Sequence, residues 1–161
     1  MKFIDTVTKY TAYFTALVLA LLVMLVVYDA TSRYLFSDGS TALQELEWHL
    51  FDVVILLSIA YTLRNNAHVR VDIFYEKFSP KTKLFINIIS FVFFVLPLSF
   101  LIIYIGIGFV EMSYLQNEAS SDPGGLHYRW IVKSLMPLAF ILLALQAVKE
   151  LVSDIKRWRA L

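Results

Sequence analysis

The chain has 161 residues, of which 59% are hydrophobic and only 17% are charged. Charged residues make up about a quarter of an average soluble domain, so this composition excludes an ordinary water-soluble enzyme. The absence of cysteine excludes disulfides, thiolate metal sites, iron-sulfur clusters and a cysteine nucleophile. The formal net charge is only +1, and the charged residues fall in short stretches between apolar runs, which gives no basis for nucleic-acid binding.

Four apolar runs are long enough to cross a bilayer, whose hydrocarbon core of about 30 Å requires about 20 residues of helix. They extend over about residues 11–34, 43–63, 84–114 and 129–152. The first run has a longer apolar core than a cleaved signal peptide and lacks a small-residue cleavage pattern, so it counts as a span. The sequence therefore predicts an all-α integral membrane protein, a single domain over residues 1–161 with four transmembrane helices.

The distribution of lysine and arginine predicts the orientation of these spans. Eleven of the fourteen lie before span one, between spans two and three, or after span four, and only Arg33, Arg129 and Lys133 fall on the other side. Because loops rich in lysine and arginine stay cytoplasmic, we expect both termini in the cytoplasm. The segment 69–78 is too charged to span but has apolar residues at helical spacing. It is either a short interfacial helix or a solvated loop.

Three ionisable residues share one face of span two near its extracytoplasmic end. Glu45, His49 and Asp52 stand at i, i+4 and i+7, and Trp48 flanks them. Ionisable groups at membrane depth usually face protein, so they indicate contacts between helices. The alternative is that Asp52 serves as a proton or cation site, although transport sites usually lie near the midplane rather than at one interface.

Basic residues near the same interface are candidate partners for these carboxylates. Arg129 and Lys133 of span four are four residues apart, as are Asp29 and Arg33 of span one. We expect Arg33 or Lys133 to neutralise a carboxylate of span two, because a charge inside the membrane is costly without a partner. Such a pair would tie spans one, two and four into one bundle.

No residue pattern points to a cofactor or to catalysis. Haem would require two imidazoles inside the membrane, whereas only His49 falls within a span. The zinc motif HExxH, the nucleophile elbow GxSxG and a phosphate-binding glycine loop are absent. Pro97 and Pro137 interrupt spans three and four, but the two halves of the chain do not resemble each other as the repeats of carriers do. A self-sufficient dimeric four-span exporter that uses Asp52 is the alternative to a subunit of a larger complex.

Four stretches, in order along the chain, carry a resemblance to a known family. They are SRYLF at 32–36, QELEWHLF at 44–51, HVRVD at 68–72 and SSDPGGL at 120–126, the last followed by RWIVKSLMPLAFILLALQAV at 129–148. Together they resemble the small membrane subunit of tripartite ATP-independent periplasmic (TRAP) transporters, the DctQ-like family. Ala42 and Gln44 replace a tryptophan and a glutamate that are common in the family, and His127 replaces a proline.

The resemblance implies a non-catalytic small membrane subunit of a sodium-coupled importer of organic acids or sulfonates in the bacterial inner membrane. In that family a large membrane subunit holds the substrate and sodium sites, and a periplasmic binding protein delivers the solute. The small subunit would stabilise the scaffold of the large one and help to dock the binding protein. The implied partners are these two subunits and membrane lipids.

The candidate residues fall into three groups. The structural or partner-interface candidates are Arg33, Glu45, Trp48, His49, Asp52 and Lys133. The candidates in the periplasmic loop and its docking surface are Asp122, Gly124, Gly125, Arg129 and Trp130. The residues that match the HVRVD stretch are His68, Arg70, Val71 and Asp72. Their charges predict a cytoplasmic anchor on lipid phosphates, with a gating contact to a mobile partner as the alternative.

Overall fold

Four long helices make up most of the computed structural model, which describes residues 2–65 and 78–160. They are α1 (Lys2–Phe36), α2 (Thr41–Arg64), α3 (Pro80–Leu115) and α4 (Trp130–Ala160). Within the described ranges there is no β-strand. Each helix is long and apolar enough to cross a membrane, which confirms the predicted fold class.

The helices extend beyond the apolar limits predicted from the sequence, by only one or two residues at each end of α2 and by more in the other three. α1 begins at Lys2, α3 begins at Pro80 and α4 continues to Ala160. The predicted limits follow only the apolar stretch, whereas helical hydrogen bonds continue through polar turns that reach the headgroups. The predicted interfacial segment 69–78 lies outside the described residues, apart from Phe78 in a bend before α3.

Serine caps determine where α2 and α3 begin. Ser40 Oγ accepts a hydrogen bond from Leu43 N at 3.4 Å, and Ser79 Oγ accepts one from Thr82 N at 3.2 Å. These bonds satisfy N–H groups that have no partner within the first turn of a helix. Pro80 follows at the first helical position, where its missing N–H removes no helical bond.

The two prolines within the spans change the helical hydrogen bonding just before them. Pro97 follows a π-helical turn at Phe91–Val95, and Pro137 follows a break at Ser134 that divides α4 into Trp130–Lys133 and Leu135–Ala160. Proline lacks the N–H that would bond the carbonyl four residues earlier, so the preceding turn needs another arrangement.

Helix α4 lies at the centre of the bundle and contacts the other three helices. A buried cluster joins Leu63 of α2, Phe91 of α3 and Leu143 and Ala147 of α4. Buried alanines on α4 let its neighbours approach closely, as small residues do between membrane helices. α4 is consequently the most buried of the four spans.

Small residues on α3 form its contact with α4. Ser99, Gly106 and Ser113 recur every seven residues and are all buried. A Cβ on Gly106 would lie 3.2 Å from both Met136 Cε and Pro137 Cδ, tighter than ordinary van der Waals contact, so glycine lets α4 approach α3 closely there.

The even number of spans places both chain ends at one end of the bundle, here called the terminal face. The connections α1–α2 and α3–α4 lie at the opposite end, here called the loop face.

Where they do not contact other helices, α1 and α3 expose large apolar side chains, including Met24, Phe93 and Phe100. Such surfaces suit lipid or another membrane protein rather than water.

Candidate functional site

The loop between α3 and α4, residues 116–129, folds back on itself at the loop face. Ser120 N donates to Leu126 O at 2.9 Å, and Gly125 N donates to Asp122 O at 3.0 Å. These bonds close the SSDPGGL stretch into a compact turn. Since Leu126 N then points away from this turn, it is available to a side chain from α2.

Glu45 of α2 accepts hydrogen bonds from three donors around this loop. They are Ser120 Oγ, Leu126 N at 2.6 Å and Arg129 Nη2 at 2.8 Å. The Glu45 side chain is only 11% exposed, so its carboxylate is largely shielded from solvent, while Arg129 is 33% exposed. A carboxylate with all these donors is a fixed structural anion, and it attaches the loop and the start of α4 to α2.

Two adjacent glycines allow the loop to approach Glu45. Gly124 has a φ of +78°, a left-handed conformation that glycine adopts without strain. A Cβ on Gly125 would collide with the Ser120 side chain and lie 2.9 Å from Glu45 Oε2. The GG pair of the sequence is therefore explained by one turn and one close approach.

The predicted pairing of Arg33 or Lys133 with a carboxylate of span two is wrong. Arg129 supplies the cation to Glu45, although it was expected to serve the docking surface. Arg33 instead pairs with Asp29 of its own helix. Arg129 reaches Glu45 because it directly precedes α4 in the loop that encloses Glu45, and Arg33 reaches Asp29 because the two stand at i and i+4 on α1.

Arg33 and Lys133 still make contacts that stabilise the loop face. With its amide oxygen turned toward α1, Gln44 accepts hydrogen bonds from Arg33 Nη1 and Nη2 at 2.6 Å. Lys133 Nζ binds Glu118 and lies 4.0 Å from the centroid of the Phe109 ring. The first contact joins α1 to α2, and the second joins α4 to the end of α3.

Glu118 lies in the loop outside the spans, and its pKa is below the usual value of 4.5. The largest cause is the hydrogen bond from the Lys133 side chain, which favours the ionised carboxylate. Near the same end of the helices, Trp130 packs edge-on against Tyr114 with the ring centroids 5.5 Å apart. These contacts fasten α3 to α4 where both reach the membrane interface.

A polar cleft of about 250 Å³, here called the loop-face cleft, lies beside the Glu45 pair. Its lining residues are Thr41, Gln44, Glu45, Trp48, His49, Asp122 and Arg129. Five predicted site residues therefore meet in one place, although they come from α2, the loop and the start of α4. Trp48 is 67% exposed and is available for contact with another protein.

Other predicted residues lie apart from this cleft. Asp52 is half-buried one turn further along α2 and forms no ion pair with any residue of the described ranges. The cleft is not lined by Arg33, Lys133, Gly124, Gly125 or Trp130. The anchor motif His68, Arg70, Val71 and Asp72 lies outside the described residues.

A second polar cluster, at the terminal face, was missed by the sequence reasoning. Asp5 Oδ1 binds Lys149 Nζ at 2.5 Å and Arg64 Nε at 3.4 Å. Thr8 Oγ1 donates to Gln146 Oε1 at 3.0 Å, and Gln146 is fully buried. The signal in the sequence was the single glutamine inside the apolar run LLALQAV, but its partner on α1 is 138 residues away.

Comparison with known protein families agrees with this architecture. Residues 22–157 match the family described as tripartite ATP-independent periplasmic transporters, DctQ component. The match covers most of the chain, including α2, α3 and the loop-face cleft. The comparison with curated proteins found no match. The chain belongs to the DctQ family and is a small, multi-pass membrane subunit of a TRAP transporter.

Proposed function

We propose that the chain is a non-catalytic scaffold subunit that binds the large membrane subunit of the transporter through the outward face of α3. The observation that carries this proposal is a row of three residues on that face, Tyr104, Gly108 and Glu111, at i, i+4 and i+7. All three point away from α4, which packs against the opposite face of α3.

The polar groups of this row suit contact with protein better than contact with lipid. Tyr104 is 80% exposed and lies ten residues before Tyr114, which places it about 15 Å below the aromatic residues at the interface. A hydroxyl at that depth requires a hydrogen-bond partner. In the described part of the chain, neither Tyr104 nor Glu111 has one, so the partner subunit supplies it.

Gly108 provides the space for such an approach. A Cβ at this position would meet nothing within 4 Å, in contrast to Gly106, which α4 contacts closely. Glycine at an outward position lets the backbone of a second helix come near, and such contacts drive association within membranes. A helix of the large subunit that carries a hydrogen-bond donor for Glu111 fits this face.

Capture of the large subunit tests this proposal. We expect the tagged chain to retain a much larger polytopic protein in mild detergent and Gly108→Leu to lose most of it, because the leucine fills the approach site. Ala20→Leu, at another exposed small position on α1, is the matched control and keeps the partner. Equal capture by both variants would place the contact on another face.

The same experiment distinguishes the rival function. If only this chain is recovered, as a stable dimer, then the proposed contact with the large subunit through α3 fails, and transport by the chain alone, as in the self-sufficient exporter, becomes the next hypothesis to test. The exporter must move solute in liposomes on its own, and Asp52→Asn must abolish that movement because Asp52 would be its ion site.

The remaining parts of the proposal follow the family resemblance. We infer that the loop-face cleft helps to dock the periplasmic binding protein, since Trp48 and Asp122 lie on its rim in a position to meet a soluble partner. The chain would then serve sodium-coupled import of organic acids or sulfonates across the bacterial inner membrane. The motif His68, Arg70, Val71 and Asp72 would anchor the chain on cytoplasmic lipid phosphates.

A further inference from the structure

A groove of about 420 Å³ opens between α1 and α2 at the terminal face, far from the loop-face cleft. Its lining residues are Lys9, Ala12, Tyr13, Ala16, Tyr61, Arg64 and Asn65. The groove lies at the side of the bundle, so it is open to the surrounding membrane. Nothing in the proposed contact on α3 involves these residues.

The end of the groove nearest the terminal face carries excess positive charge. Arg64 and Lys149 share the Asp5 carboxylate, and Lys149 also binds Glu150. Lys9 forms no ion pair within the described ranges, and its Nζ lies 5.7 Å from the centroid of the Tyr13 ring. Among the described residues, three cations therefore face two carboxylates at this end of the groove, and Lys9 is left available to an anion.

The part of the groove that lies deeper in the membrane, toward the loop face, is apolar and shallow enough to hold a hydrocarbon chain. Ala12 and Ala16 lie one turn apart on α1, and their small side chains form the floor. Tyr13 and Tyr61 stand beside them as walls. From Lys9 to Ala16 the helix rises about 10 Å, so the groove leads from headgroup level into the hydrocarbon.

We propose that this groove binds one anionic phospholipid, with its phosphate between Lys9 and Arg64 and an acyl chain along Ala12 and Ala16. Charge complementarity selects the anionic headgroup, and the apolar floor distinguishes a lipid from a soluble phosphate. The bound lipid covers the seam between α1 and α2. This site is independent of the proposed contact with the large subunit, so failure of either proposal leaves the other standing.

Native mass spectrometry of the full chain in a neutral detergent tests the site, with phosphatidylglycerol, phosphatidylcholine and glycerol phosphate as the probes. We expect one phosphatidylglycerol to bind in preference to phosphatidylcholine, and glycerol phosphate not to compete. Lys9→Gln should weaken binding of phosphatidylglycerol by about five-fold, the effect of one lysine near a lipid phosphate. Ala16→Leu should weaken it as well, because the leucine fills the floor while the cations stay.

Lys81→Gln is the matched control. Lys81 also lies near the terminal face and over an aromatic ring, with its Nζ 5.4 Å from the centroid of Trp158. The change of charge is identical, but the residue is outside the groove, so binding should stay as in the unmodified chain. Equal losses in Lys9→Gln and Lys81→Gln would show general attraction to the basic face and would overturn the site. Competition by glycerol phosphate, or equal binding of phosphatidylcholine, would also overturn it.

Discussion

At the scale of single residues, separate ion pairs stabilise the loop face. Glu45 binds Arg129, Glu118 binds Lys133, and Asp29 binds Arg33. Residue spacing along a helix correctly relates Asp29 to Arg33, since i and i+4 positions are neighbours. The other two pairs join different segments, so their members could be named from the sequence but their pairing could not.

The contact between Glu118 and Lys133 makes stability depend on pH. The pKa of Glu118 is lowered on folding, so the contact contributes fully above about pH 4.5 and is lost as pH falls through the lowered pKa. We expect Glu118→Gln to lower the thermal unfolding temperature at about pH 7 but much less at a low pH that lies below the lowered pKa, where Glu118 is protonated in both the folded and the unfolded state.

Asp38→Asn is the control for this measurement, because Asp38 is exposed in the connection between α1 and α2. It should leave the unfolding temperature nearly unchanged at both pH values. A loss in Glu118→Gln of the same size at both pH values would mean that the side chain acts through packing rather than through its charge.

Elements associate in this protein through small residues rather than through one large apolar core. α3 packs against α4 through Ser99, Gly106 and Ser113, and the other helices pack against buried alanines on α4. The sequence showed that the spans are helical, but their apolar residues surround each helix. The faces that meet protein and those that meet lipid therefore became visible only when the helices were packed.

The two glycines of α3 allow a direct test of this packing. We expect Gly106→Ala to lower the free energy of unfolding by about 1–3 kcal/mol, because its Cβ presses on the Pro137 ring and Met136. Gly108→Ala should not destabilise the isolated chain, since that position is open and alanine favours helix. Reversible unfolding in mixed micelles measures both variants, and equal stability of the two would contradict the packing of α3 on α4.

For the whole molecule, four spans place both termini on one side, and the lysine and arginine distribution predicts that this side is cytoplasmic. The chain has no cysteine, so single cysteines can report each face without background. We expect Asp38→Cys to react with an impermeant maleimide on intact cells and Lys81→Cys to react only after permeabilisation. The unsubstituted chain is the negative control, and the reverse labelling pattern would contradict the predicted orientation.

The sequence by itself determined the number of spans, their approximate limits and the family. These properties depend on local sequence. A run of about 20 apolar residues must be helical in a bilayer, and motifs such as QELEWHLF identify the family by their order along the chain. Five of the predicted candidates line one cleft, because residues at the same membrane depth lie at the same end of the bundle.

Only the tertiary structure decided which charges meet and which polar residues stay buried. Arg129 rather than Lys133 binds Glu45, because the loop of residues 116–129 turns back over α2. Gln146 meets Thr8 across almost the whole length of the chain. A charge is satisfied by whichever partner lies nearest in space, and that distance depends on how the helices pack rather than on their spacing in sequence.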